Sequence, residues 1–183
     1  MTRPASKEPA NDLEAVDWAR VASGPSSKGR VELIVLRLAN EGRERPQEAF
    51  LTGEQGLIGD RWSRAEDSEG LSQVTLLNSA VARVIAGDEP RLEEFGDNFL
   101  VDLDIGTANL PTGARLRLGE AELEVTSEPH LGCAKFARRF GHAALRIVNR
   151  KELVPLKLRG IHARVLKPGR VWLGAPIAKL AAD

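Results

Sequence analysis

The stretch Asn98–Pro129, NFLVDLDIGTANLPTGARLRLGEAELEVTSEP, sets the fold class. VDLDI (101–105), ARLRL (114–118) and AELEV (121–125) each alternate apolar and polar residues, the period of a strand with one buried face. Gly119-Glu120 lies between the last two with tight-turn chemistry, which predicts a hairpin. Working outward, IHARVLKPGRVWLG (161–174) reads as a strand, a Pro168-Gly169 turn and another strand. RVELIVLRL (30–38) and SQVTLLN (72–78) are aliphatic and β-branched enough to be strands as well. Asn78 is placed to cap a short helix, SAVARVIAG, that Gly87 stops. Many short strands with few helices predict a mainly β protein, a barrel with a few short helices, the alternative being an α+β sandwich.

The expected organisation is an N-terminal appendage over residues 1–29 and a β domain over 30–183. Within the appendage, NDLEAVDWARVAS is a short helix candidate with Asn11 as its cap, and GPSSKG (24–29) reads as a flexible joint. The first twenty residues contain no apolar signal-peptide core, and no run reaches the ~18 apolar residues of a membrane span. A single cysteine excludes an intramolecular disulfide and fits a reducing, cytoplasmic setting.

Formal net charge is zero, but the charge is unevenly spread. Cys133–Trp172 holds eleven Lys or Arg against Glu152 alone, a net of +10 that leaves −10 on the remainder. Such asymmetry suggests a face that meets an anion, unless the cations pair with acids across the fold.

Cys133 lies in EPHLGCAKFARRFG (128–141). Phe136 and Phe140 share a helical face and Gly141 offers a stop, so CAKFARRFG is expected to be a helix with Cys133 at its start. Free N–H groups and the helix dipole favour a thiolate there, as does Lys135. The competing reading is a small apolar residue packed beneath the helix. The spacing His130-x2-Cys133-x8-His142-x19-His162 matches no standard zinc pattern, and no partner to orient a Cys-His pair is evident. The sequence has no Gly-rich phosphate loop, and the basic segment carries too few aromatics to argue for nucleic acid.

Taken in order, these segments resemble the MOSC domain, the module named for the C-terminal region of molybdenum-cofactor sulfurases. The resemblance covers roughly residues 30–178. It is carried by GLIGDRW (56–62), the Asn98-led strand, the LPTGARLRLGEAELEVT hairpin, the Cys-x-Lys-Phe element and the late glycine-led strand with its Pro-Gly turn. Gly132 stands where many members have proline before the cysteine, and Gly174-Ala175 where a Gly-Asp is usual. The resemblance implies a β-barrel and a role centred on Cys133. That role is either ligation of molybdenum in a molybdopterin-type cofactor or carriage of sulfur as a persulfide. Some members reduce N-hydroxylated compounds with electron-transfer partners, and a sulfur carrier would meet a sulfur-donor protein. Under this reading Lys135, Arg138, Arg139 and Arg164 are candidates to hold the anionic pterin cofactor, with Asn98 adding hydrogen bonds. Asp60 is a second acid or, by its residue type, an Asx-type turn residue. A polyanion-binding module without catalysis is the reading from another class, and a membrane partner is not expected.

Overall fold

A computed structural model describes residues 12–64, 69–87 and 89–181. Its centre is a closed seven-stranded barrel. In chain order the strands are β1 (Lys28–Ile34), the short β2 (Leu36–Arg37) and β3 (Arg43–Glu44), β4 (Glu48–Thr52), β5 (Gly56–Leu57), β6 (Val74–Asn78) and β7 (Phe99–Val101). They continue with β8 (Arg115–Leu118), β9 (Ala121–Val125), β10 (Ile161–Lys167), β11 (Gly169–Trp172) and β12 (Pro176–Lys179). The barrel runs β1-β12-β8-β9-β10-β6-β7 and closes from β7 back to β1, so neither sheet edge stays open and the sandwich alternative does not apply. Every neighbouring pair is antiparallel except β6–β7. A parallel pair needs a crossover, and here it contains the helix α2 (Ser79–Ala86).

The alternation seen in the sequence becomes a two-sided core. Inward residues such as Val31, Leu76, Phe99, Leu116, Leu123 and Ile177 fill the barrel. Each fully buried aliphatic contributes about 1.5–3 kcal/mol. Leu77 and Leu100 face the other way and meet α2 and the C-terminal half of the chain in a second cluster with Ile85, Phe140 and Ile147. All five residues of β6 are buried because both of its faces are covered. Asn78 caps α2 by accepting from the Ala80 and Val81 amides, and Gly87 ends it at φ +76°.

Several expectations are corrected. VDLDI contributes only its first residue to β7; Asp102 and Asp104 instead donate their amides to the carbonyls of Arg30 and Pro25. Pro168-Gly169 does not make a hairpin, since β11 pairs with β4 in a side sheet with β5. GPSSKG is not a free joint: Lys28 and Gly29 already belong to β1, and a Cβ on Gly29 would lie 1.6 Å from the Asp102 carbonyl oxygen. Asn11 lies outside the described residues. The helix α1 (Trp18–Ala22) starts later, with Asp17 accepting from the Arg20 amide. It packs on the body through buried Leu13, Trp18 and Ala22.

Candidate functional site

Helix α3 (Ala134–Val148) starts at Cys133, which occupies its N-cap with extended backbone. Phe136 and Phe140 turn inward onto Phe95, with ring centroids 5.9 and 4.1 Å away, and this fixes the first turn. Gly141, with non-helical backbone at φ +88°, ends the first helical segment as the sequence suggested, and a second segment follows it directly and runs to Val148. Gly132 approaches the far end of the same helix. Its N–H donates to Asn149 Oδ1 at 2.8 Å, and its carbonyl accepts from Asn149 Nδ2 at 3.0 Å. A Cβ at Gly132 would stand 2.8 Å from side-chain carbons of both Leu145 and Val148, so those side chains would have to move.

The Cys133 thiol is exposed, not packed beneath the helix. Its sulfur completes no capping hydrogen bond. The Phe136 amide and then the Lys135 amide nevertheless favour the thiolate, together with the charges of Arg159 and Lys135. These outweigh partial desolvation and hold the thiol below its ordinary pKa. The sulfur is exposed and favoured as a thiolate, and so is available as a nucleophile or soft ligand.

A buried polar cluster also bears on this site. Asp97 is fully buried; Arg159 Nη1 engages Oδ2, and His130 Nδ1 lies 3.5 Å from Oδ1, which accepts no hydrogen bond. Arg159 also donates to the Phe95 carbonyl at 3.0 Å and lies 5.3 Å from the Phe136 ring centroid, leaving its buried Nε without a partner. The His130 and His162 rings are 4.3 Å apart. Burial, reinforced by the nearby Arg159 charge, drives His130 well below the ordinary histidine value, so the ring is neutral at neutral pH. Burial likewise lowers His162, whose Nδ1 is 3.2 Å from the Glu128 carbonyl oxygen, an arrangement that assigns the ring proton to Nδ1. Burial raises Asp97 above the usual carboxylate value despite Arg159. Gly160, at φ +102°, makes room for this cluster: a Cβ would meet the Leu76 carbonyl at 2.4 Å and Asp97 Oδ1 at 3.3 Å.

Lys135, Arg138 and Arg139, all in the helical segment that follows Cys133, are brought together around a carboxylate of the chain itself. They lie 3.5, 3.9 and 3.0 Å from Glu41. Arg164 is elsewhere, on β10, paired with Glu124 at 2.7 Å. Asn98 is fully buried and committed: Oδ1 accepts from the Thr75 amide and hydroxyl, while Nδ2 donates to Asp60 and to the Val35 carbonyl. Its place is inside the barrel framework. Asp60 forms the expected Asx turn with the Trp62 amide at 2.9 Å and adds a buried ion pair with Arg37. Much of the basic segment pairs across the fold, with Arg146 and Arg150 on Glu14 and Arg170 on Glu48 and Glu120. Sequence reasoning missed the Asp97–Arg159 pair, the action of Arg159 on the thiol, and the Glu41–Arg139 pair. Asp97 and Arg159 flank Asn98 and Gly160 in the recognised segments, but nothing local to either marks the pairing. Among the described residues, no three His, Cys, Asp or Glu side chains converge to hold a metal ion, and no helix is long and apolar enough to cross a membrane.

A closed mixed barrel bearing an exposed cysteine at the start of a flanking helix is a recognisable class of domain. Residues 71–178, more than half of the chain, match the MOSC domain, and the chain belongs to that family. Among solved structures, it is similar to the YuaD protein of Bacillus subtilis, with a TM-score of 0.62 and 16% identity over 85% of this chain and 97% of that one. It is also similar to YiiM from Escherichia coli, with a TM-score of 0.58 and 23% identity over 84% and 71% of the two chains. At these identities the likeness concerns the fold. No curated protein matches the sequence.

Proposed function

We propose that the chain binds a molybdopterin-type molybdenum cofactor, with Cys133 Sγ as its ligand to the metal. The observation that carries this reading is the exposed thiol at the α3 start, favoured as a thiolate by the Phe136 and Lys135 amides. A soft thiolate suits molybdenum, and Lys135, Arg138 and Arg139 supply positive charge for a phosphate or pyrophosphate. When bound, such a cofactor supplies two-electron chemistry at the metal, as in reduction of N-hydroxylated compounds by some family members. The chain's own part is to present the thiolate and neutralise the phosphate. Protein purified from a cofactor-competent host is expected to carry molybdenum and pterin, and Cys133→Ala protein to carry neither. Metal and pterin absent from the wild-type protein would defeat the proposal.

Exposure of the same sulfur supports a second reading, a sulfur carrier. The thiolate would attack the outer sulfur of a donor protein's persulfide, forming the Cys133 S–S bond and releasing the donor cysteine as its thiolate. Incubation with a cysteine desulfurase and cysteine should then add the mass of one sulfur, confined to Cys133; an unchanged mass would reject this reading.

A further inference from the structure

The turn Ala39–Glu41, between β2 and β3, places a carboxylate where the basic side chains of α3 converge. Asn40 and Glu41 stand at φ +53° and +61°, the left-handed region that residues with a Cβ adopt at a cost, and two occur in succession. This backbone presents Glu41 towards Lys135, Arg138 and Arg139. Beside it is an open cleft of about 620 Å³ lined by Asn40, Glu41, Arg43, Glu93, Glu94 and Arg139.

Arg43 makes the cleft more than a surface ion-pair cluster. Its guanidinium and that of Arg139 converge over Gly96: a Cβ there would stand 3.3 Å from Arg43 Nη2 and 3.9 Å from Arg139 Nη1. Arg43 donates to the Gly42 carbonyl at 2.8 Å, but its buried Nε has no partner. Arg139 uses its other contacts on the Glu94 carbonyl and Glu41. Glu93 lies 3.9 Å from Arg45, and its buried Oε2 accepts no hydrogen bond. Two converging guanidiniums, one already holding a carboxylate and the other with an unpartnered Nε, form a receptor for an oxyanion, and Glu41 is the carboxylate at its edge.

We propose that Glu41 is an internal anion that keeps this basic site closed, and that a phosphate- or pyrophosphate-bearing ligand enters by displacing it. The proposal rests on the reading that the anionic group of a cofactor seats on the basic side chains of α3, and adds that the site is self-occupied until the ligand arrives. Glu41 is on an exposed turn and its side chain is half exposed, so it can swing into water without disturbing the barrel. The ligand's gain is therefore measured against three existing ion pairs, which makes the site selective for anions of higher charge than a single carboxylate.

The test is calorimetric titration of inorganic pyrophosphate at low ionic strength into wild type, Glu41→Gln and the double variant Glu41→Gln/Arg43→Gln. Removing the internal competitor should tighten binding about tenfold, the sum expected for several exposed ion pairs. The double variant should lose that gain, and added salt should shrink it. Equal affinity in wild type and Glu41→Gln, no binding by either, or a gain that survives loss of Arg43 would each overturn the proposal. Molybdenum content of the same preparations separates the two readings. Tighter pyrophosphate binding in protein that acquires no molybdenum would retain the Glu41 gate and reject the cofactor. Molybdenum bound without any pyrophosphate gain would do the reverse.

Discussion

Asp60 and Asp97 are both buried carboxylates, and Asn98 connects their surroundings, yet they are solved differently. Asp60 accepts from the Arg37 amide and guanidinium, the Trp62 amide and Asn98, so both oxygens are satisfied and its pKa falls below the ordinary value despite burial. Asp97 is held by Arg159 on one oxygen and faces a neutral imidazole with the other; burial raises its pKa. The first arrangement is structural closure. The second leaves donor and acceptor capacity unspent in a cluster whose Arg159 also acts on the Cys133 thiol, and polar capacity of that kind is where chemistry or a ligand is accommodated.

The largest expected effect breaks the closed side. Arg37→Met leaves Asp60 buried without its cation and should cost about 3–5 kcal/mol in urea unfolding. Next, the two carboxylates should show opposite pH slopes. Asp60 has a depressed folded pKa, so its stabilisation is full above the unfolded value near ~3.9 and lost as pH falls through the folded one. The cost of Asp60→Asn should therefore shrink on acidification. Asp97 has a raised folded pKa, so its contribution is present below ~3.9 and lost as pH rises through the folded value. The cost of Asp97→Asn should shrink in the other direction, towards neutral pH. Parallel slopes in chemical denaturation from about pH 3 to 7 would erase the contrast.

Smaller effects sharpen the open side. His130 and His162 have lowered folded pKa values, so the stability they contribute is full above ~6.5 and lost as pH falls through the folded values. His130→Gln should flatten that acid loss in melts taken between pH 7 and 5. Gly132→Pro installs the residue common in the family, but it removes the N–H donated to Asn149 and pushes carbon against Leu145 and Val148. A loss of about 1–3 kcal/mol is expected from thermal unfolding. Cys133→Ala should change stability by less than about 0.5 kcal/mol, because the thiol is exposed. In the wild type, the pH dependence of iodoacetamide labelling should place the thiol midpoint below that of a free cysteine.

The hairpin and the α2 caps were legible because each is local: alternation over five residues, a Gly-Glu turn, an asparagine before a helix. The thiol at a helix start was legible for the same reason. What escaped depends on closure of the barrel. VDLDI reads as a strand, but its second half is drawn to Arg30 and Pro25 by backbone bonds no local pattern encodes. Arg159 meets Asp97, and Glu41 meets Arg139, across sequence gaps that charge counting could only register as imbalance. That imbalance was real, but much of it is settled internally, and Arg164 illustrates how a strand residue pairs with the acid directly opposite it on the neighbouring strand.

Strand β1 is flanked by β12 on one side and β7 on the other, so nearly the whole described chain lies between two hydrogen-bonded neighbours. During synthesis β1 leaves the ribosome early and must wait for β12 before the cylinder can seal. Until then both borders of the unfinished sheet are adhesive. Such long-range stitching implies slow folding for a chain of this size, and any truncation that removes β12 should yield aggregation in place of a smaller working domain.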